Sequence, residues 1–320
     1  MRRPSVVCTL GSDAALFHVA KAVTGLCRLE AQDRISLILR HSSAIGQHAI
    51  VLEWDGTTAG IDLSDHSDRM TPELSNCDLY FKRCVRPEDL KLSDRIRPFG
   101  LNYACRSTRA TLRLLSLFGP MDAIRRRGAW KKFFLVPLVT EFEREPTRAA
   151  SPTILFQARL WIPMECLGDE RVNEDRVRLL RALRSEFKDR LAGGLVPTLY
   201  AKRHYPELLT DHPSRQSRYV RWAREHLISI GFRGLFGSLG FKIAEAFAAS
   251  QCLVSEPTTA YLPADAPIAL YHSTEECIAV CDRFLSYPGE ADELRNQAWE
   301  YYRNEVEPGA HMAKLLGSIQ

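Results

Sequence analysis

Between Arg233 and Pro257 the chain places a glycine-punctuated turn, a lysine, two glutamates and an apolar run in an order suited to a phosphorylated ligand. Gly234, Gly237 and Gly240 lead into a helical pattern that starts near Phe241, and the apolar run Cys252–Ser255 ends on Glu256. A helix start presents unpaired backbone N–H groups and a partial positive charge, and glycines let the backbone approach an anion closely. Such a loop suits a diphosphate, with Ser238 as a hydroxyl donor and Lys242 as a cation reaching back from the first turn. Glu245 lies three residues beyond Lys242 on the same helix face, where a carboxylate accepts bonds from a ribose diol. Glu256 follows a strand, where ligands of open α/β sheets bind. The spacing matches neither the Walker nor the dinucleotide fingerprint. Ordinary loop glycines beside a solvated Lys242–Glu245 pair are the alternative.

Other residues offer complementary chemistry. Asp62 and Asp65 follow the strand-like Ala59-Gly60-Ile61, with His66 adjacent, and are the best carboxylates for a base; a polar turn is the plainer reading. Lys82 and Arg83 end a strand pattern over 78–81 and form an anion site or a surface ion pair, and Asn102 and Tyr103 are further polar candidates. His204, His212 and His226 have no ligand-like pairing, and Cys277 and Cys281 lack partners at a zinc spacing. No paired acids of the metal–diphosphate kind stand in the second half, so neither a metal nor a resident cofactor is expected.

These groups need a scaffold, and 320 residues suffice for two domains with sizeable cores. With 45% hydrophobic and 26% charged residues the chain reads as a soluble globular protein, and a net charge of +4 is too small to argue for nucleic acid. Nine cysteines, mostly inside apolar runs, predict free buried thiols in a reducing compartment. The N-terminus is a poor signal peptide, and no apolar window is long enough to span a membrane.

Short apolar strand patterns alternate with longer helical ones, the signature of parallel α/β sheets. Strands are predicted over 5–10, 34–39, 49–54, 78–81 and 95–99, and helices over 14–27 and 108–118. The polar, proline-bearing stretch 141–148 reads as a linker, which divides the chain into domains 1–148 and 149–320. The second domain restarts with a strand over 153–157 ending on Arg159. A helix follows in which Val172, Val177, Leu180, Leu183 and Phe187 line one face and arginines the other. Strands at 190–196 and 226–230, a short helix at 217–224, a helix capped by Ser273-Thr274-Glu275-Glu276 and a last helix over 291–306 complete the pattern.

The segment Gly240–Ser255, with its G-F-K-x-x-E-A pattern and Glu256-Pro257 behind it, resembles the donor-binding motif of GT-B glycosyltransferases of the group-1 type. Leu155–Trp161 is similar to the first strand of their C-terminal domain, whose terminal arginine, here Arg159, faces the donor diphosphate. Tyr287-Pro288-Gly289 and the stretch 298–302 are similar to the helices that close that domain. Asp62–Asp65, Tyr80–Arg83 and Pro98–Tyr103 look like pieces of bacterial members that build surface polysaccharides. The resemblance implies two Rossmann-like domains in GT-B arrangement, with parallel sheets flanked by helices, a cleft between the domains and an acceptor-binding first domain. It implies a nucleotide-sugar co-substrate, a glycan or lipid-linked acceptor and metal-independent transfer. Arg159, Lys242 and the loop amides would stabilise the leaving diphosphate. Asp65, Asp62 and Lys242 would be the catalytic groups; Gly234, Gly237, Ser238, Gly240, Glu245, Glu256, Lys82, Arg83 and Asn102 would bind substrates. Many group-1 enzymes carry two glutamates seven residues apart. Glu245 fits the second position, and Ser238 stands at the first.

The stretch 125–134 sets Arg125, Arg126, Arg127, Lys131 and Lys132 beside aromatics. It reads as a contact for anionic lipid headgroups or as a solvated helix end, with RNA binding a third reading. A cytoplasmic protein is expected, its contact with the inner face of a membrane resting on that stretch. The rival readings of function are a non-catalytic nucleotide- or sugar-binding module of the same fold and an RNA-binding protein.

Overall fold

The structure, a computed structural model, describes residues 3–67, 69–146, 151–169, 171–212 and 216–317. It divides into two compact units, one of Met1–Thr140, Thr259–Leu262 and Tyr302–Gln320, the other of Glu141–Thr258 and Pro263–Tyr301. Both are α/β, as expected, and each has its own apolar core.

In the first unit β1 (Ser5–Gly11), α1 (Leu16–Ala31) and β2 (Ser36–Ser42) form a parallel crossover. Next come β3 (Ala49–Trp54), β4 (Thr57–Asp62), β5 (Leu79–Lys82) and β6 (Ile96–Pro98), followed by α2 (Thr108–Arg125) and α3 (Arg127–Phe134). The sheet order is β2-β1-β3-β4-β5-β6. It is not wholly parallel: β3 runs antiparallel to both β1 and β4. The cause is local. Asp55 (φ 48°) and Gly56 (φ 83°) form a two-residue hairpin turn of the left-handed kind that Asp-Gly favours, and this turn reverses the chain between β3 and β4. β1, β4, β5 and β6 still share a direction, so their C-terminal ends lie along one edge.

A short helix, α4 (Val139–Phe142), leads into the second unit. The linker expected over 141–148 is ordered where it is described, because the Arg144 N–H donates to the Ala248 carbonyl (2.9 Å) and the Ser250 hydroxyl donates to the Arg144 carbonyl. The expected boundary at 148/149 lies outside the described residues. The second unit contains β7 (Ser151–Ala158), α5 (Arg171–Phe187), β8 (Leu191–Leu195), α6 (Leu199–His204), α7 (Gln216–Ala223), β9 (His226–Gly231), α8 (Phe241–Ala248), β10 (Cys252–Ser255), β11 (Ala269–Leu270), α9 (Thr274–Ser286) and α10 (Pro288–Tyr301). All its pairings are parallel, in the order β11-β10-β9-β7-β8. Half of the expected capping box forms at α9: Ser273 Oγ accepts from Glu276 N (3.1 Å), while Glu276 Oε2 accepts from His272 N (2.6 Å), one residue ahead of the N-cap.

The last predicted helix, 291–306, is helical throughout, α up to Tyr301 and π over Tyr302–Val306, and it passes from the second unit to the first. α10 stops at Tyr301, which packs on Phe247 of the second unit, whereas the buried Tyr302 hydroxyl pairs with that of Tyr103 (2.9 Å) in the first. One π-helical turn and α11 (Pro308–Gly317) complete the first unit. α11 seals α1 through a buried polar seam: Lys21 Nζ donates to the Leu101 carbonyl (2.6 Å) and to His311 Nδ1 (2.7 Å), while His311 Nε2 donates to the Phe99 carbonyl (2.7 Å). Burial lowers the Lys21 pKa to about 7 and holds His311 neutral. All nine cysteines are free and buried.

Gly25 is where α1 and α11 meet most closely, and a methyl group there would overlap the Pro308 carbonyl. Gly25→Ala is expected to destabilise the first unit by about 1–3 kcal/mol through overpacking, read as a lower urea midpoint.

Candidate functional site

In the second sheet the chain goes from β7 to β8 on one side and then returns to place β9 on the other side of β7. The ends of β7 and β9 are therefore a topological switch point, the place where open parallel sheets bind ligands. Gln157 and Arg159 stand at the end of β7, and Phe232 and Arg233 follow β9. The glycine loop runs from there into α8, with Gly240 as its N-cap.

The loop is held by its own backbone. Gly234 N donates to the Ser238 carbonyl (2.8 Å) and Ser238 N to the Leu235 carbonyl (3.1 Å). Any side chain at Gly234 would strike the buried Ser238, and Gly237, with φ at 73°, makes the left-handed turn that glycine tolerates best. Asp169 and Glu256 clamp the loop from outside. Asp169 Oδ2 accepts from Arg233 Nη1 (2.7 Å) and Phe236 N (2.9 Å), and Glu256 Oε1 accepts from Arg233 N (2.8 Å). Burial pushes the Glu256 carboxyl above its ordinary value, against the pull of Arg233 and Arg176. The amides of Arg233, Gly234, Phe236 and Ser238 are thus already bonded, which withdraws these four from the expected cradle of loop amides. The available positive charge lies in the side chains instead.

Those side chains converge on the switch point. Lys242 Nζ donates to the Gln157 carbonyl (2.8 Å) and lies over the rings of Tyr219 (5.4 Å) and Phe232 (5.8 Å). Burial brings its pKa down to about 8, with Glu245 opposing the shift. Arg159 is exposed, stacked on Trp161 (5.0 Å) and weakly paired with Glu165 (3.4 Å). Arg176 was missed from sequence because the arginines of α5 were assigned to its solvent face. It is only 6% exposed, donating Nη1 to the Arg159 carbonyl (2.6 Å) and Nη2 to the Arg233 carbonyl (2.9 Å), with Phe232 beneath it (5.4 Å). The signal was present, since residues 172, 176, 180, 183 and 187 form one row of the helix. Burial lowers the Arg176 pKa to about 10, and Glu256 counters this.

In the first unit the candidate residues occupy the edge where β1, β4 and β5 end. Asp62 and Lys82 are register partners across β4 and β5 and are wholly buried. Asp62 Oδ2 accepts from Lys82 Nζ (2.9 Å) and the Tyr80 hydroxyl (2.7 Å), and Oδ1 accepts from Ser64 N (2.9 Å). Burial alone would raise the Asp62 pKa, but Lys82 and these bonds hold it below the usual carboxylate range. A carboxylate so enclosed cannot take a proton from an acceptor, and Lys82, which also donates to the Arg69 carbonyl (2.5 Å), is not a surface cation. Their expected roles in the chemistry are therefore replaced by a structural one. Asp65 is half exposed and pairs with the buried Arg83. Asn102 is buried, donating to the His18 carbonyl (3.1 Å).

Sequence reasoning missed His18 and His48, whose rings meet edge to face (4.7 Å) near Asp65 and Arg83. His48 lines a cavity of about 280 Å³ with Ser64, His66, Arg69, Thr71 and Glu73. No motif marks these histidines; they come together because β3 runs backwards and starts at the edge where β1 ends. Burial, then His48 and Arg83, lower the His18 pKa to about 4, and burial lowers that of His48 as well. His204, His212 and His226 pack on Tyr200 and Trp222, as ordinary packed histidines do. Among the described residues no group of three or more His, Cys, Asp or Glu is arranged to hold a metal ion.

The folded chain keeps His18 neutral down to about pH 4, whereas an unfolded histidine takes its proton near pH 6.5. The unfolded state thus binds more protons between those values, so this contribution to stability is complete above pH 6.5 and is lost as pH falls. His18→Gln is expected to flatten the decline of the urea midpoint between pH 7 and pH 5 (about the range where histidine titrates). Arg176→Lys leaves one of two strand-end carbonyls without its donor and is expected to cost about 1–3 kcal/mol, measured as denaturant stability.

Residues 175–317 match the family model described as glycosyl transferase-like. In sequence, no curated protein matches the chain. Among solved structures the chain is similar to an α-glucosyltransferase in complex with UDP-glucose and DNA containing an abasic site (11% identity, TM-score 0.46, 98% of this chain and 99% of that one). It is also similar to an α1,3-fucosyltransferase (10%, TM-score 0.44, 98% and 89%). A third is WaaG, a glycosyltransferase involved in lipopolysaccharide biosynthesis (11%, TM-score 0.38, 77% and 75%). The family match thus covers the second unit from within α5 onward and continues through α11.

Proposed function

We propose that this protein transfers a sugar from a nucleotide-sugar donor to a glycan or lipid-linked acceptor without a metal ion. One observation carries the reading: Arg159, Arg176, Arg233 and Lys242 gather at the switch point of an all-parallel sheet, with Glu245 and Glu256 beside them. In a site of this kind the leaving diphosphate is stabilised by fixed cations, and no reorganisation is needed as charge develops. Arg159 and Lys242 take that role, Glu245 holds the ribose, and Arg176 fixes the backbone from which Arg159 and Arg233 project. Lys242, with its pKa near 8, is mostly protonated at neutral pH and loses its charge above that value. Donor affinity should therefore fall as pH rises through 8.

The second domain is the donor half in this reading, and the first holds the acceptor. Of the two carboxylates expected to act there, Asp65 has exposed surface, so it is the candidate base, with Asp62 acting through the position of its loop. Nucleic acid is not proposed as a partner. The α-glucosyltransferase named above was seen with DNA, which makes DNA a control acceptor.

Thermal stabilisation by UDP, GDP and ADP tests the donor site, since a ligand of the folded state must raise the midpoint. At least one is expected to stabilise the protein, and no shift from any of them would sink the reading. Lys242→Ala and Glu245→Ala should each weaken that ligand by about tenfold or more, as charged hydrogen-bond partners do. Donor turnover should be insensitive to EDTA.

A further inference from the structure

We propose that the outer faces of α3 and of the last turn of α2 form a docking surface for an anionic lipid bilayer. α2 breaks at Gly119 (φ 75°), ahead of Pro120, so the turn containing Met121–Arg125 departs from the rest of the helix. That turn and α3 are fastened to the first unit by their inner faces. Asp122 accepts from Arg126 Nε (2.8 Å) and Trp130 Nε1 (2.9 Å), Arg126 donates to the Ala14 carbonyl (2.9 Å), and Trp130 and Phe133 are buried in the core. What remains outside is unusual for a protein surface. Met121, Ile124, Phe134 and Leu135 are 69, 71, 46 and 53% exposed, and Arg125, Arg127, Lys131 and Lys132 are exposed among them. Asp122 is the one acid between Met121 and Leu135, and it is already paired.

Large exposed apolar side chains interspersed with exposed cations match a surface with hydrocarbon beneath negative charge, which is the headgroup–acyl boundary of an anionic bilayer. RNA would satisfy the cations alone. Single-stranded nucleic acid needs successive aromatic planes for stacking, and of the four exposed apolar residues Phe134 alone provides one. The periodicity supports insertion as well: Met121, Ile124 and Arg125 share one helix face, as do Arg127, Lys131 and Phe134. This inference does not rest on the donor reading.

The test is co-sedimentation of the full chain with phosphatidylcholine vesicles, with and without phosphatidylglycerol, alongside a poly(U) binding measurement at the same ionic strength. The wild type should partition onto the anionic vesicles only. Lys131→Glu/Lys132→Glu should lower that partition by more than tenfold, given about fivefold for each charge at a membrane surface. Phe134→Ser/Leu135→Ser, with every cation in place, should also lower it by about tenfold or more and leave only a salt-sensitive remnant. Unchanged thermal midpoints in both variants exclude misfolding, and nucleoside-diphosphate stabilisation of the same samples reports separately on the donor site. Equal binding to both kinds of vesicle, binding to neither, or full binding by Phe134→Ser/Leu135→Ser would overturn the proposal. Tighter binding to poly(U) than to the anionic vesicles would replace it with a nucleic-acid surface.

Discussion

A guanidinium taken out of water must find acceptors, and in the second unit that requirement shapes the whole edge of the sheet. Arg176 lies beneath the ends of β7 and β9 and donates to the Arg159 and Arg233 carbonyls, so both strand ends are held in one geometry. Everything around the glycine loop follows from this. Arg233, held by its carbonyl, offers its amide to Glu256 and its guanidinium to Asp169, and Asp169 in turn takes the Phe236 amide. The loop is thus shaped by charge before a ligand arrives. Such preorganisation is what a site needs if it is to stabilise a developing anion.

The first unit uses the same device with opposite outcome. There the buried pair Asp62–Lys82 is closed on itself, with Tyr80 and Ser64 supplying the remaining bonds. It links β4 to β5 at the end where Asp65 and Arg83 emerge, so its contribution is positional. A buried ion pair is costly to break and weak evidence of net stabilisation. The polar seam of Lys21 and His311 is comparable: a lysine with a pKa near 7 sits where α1, α11 and the 99–101 segment meet, and its bonds select their arrangement.

Much of the candidate site was legible beforehand. The glycine spacing, Lys242 with Glu245, and Glu256 after a strand are local patterns, and local patterns survive folding because helix and strand periodicities fix which side chains share a face. The strands ending on Arg159 and Glu256 were legible for the same reason. The misses were non-local. Arg176 shared a helix row with Val172 and Leu180, but an arginine in an apolar row looks like an exception until its two carbonyl partners are seen. Asp62 and Lys82 looked like two reactive strand ends, and only their adjacent register turned them into one neutral, inward pair. The Asp55-Gly56 hairpin was written in the chain and passed over, which hid the reversal of β3 and with it the meeting of His18 and His48.

The sequence by itself determined the α/β class, most helices and strands, the free buried thiols and the glycine loop with its lysine and glutamates. These depend on periodicity, composition and turn chemistry, which act over a few residues. Only the tertiary structure decided which charges are buried and with what partners. It bonded the Arg233, Gly234, Phe236 and Ser238 amides internally, buried Arg176 beneath the strand ends, and carried the end of the chain past Tyr301 back to the first unit. It also left Met121, Ile124, Phe134 and Leu135 uncovered beside their cations. Burial is a property of the packed whole, and the free energy of a charge depends on burial more steeply than on any neighbour in sequence.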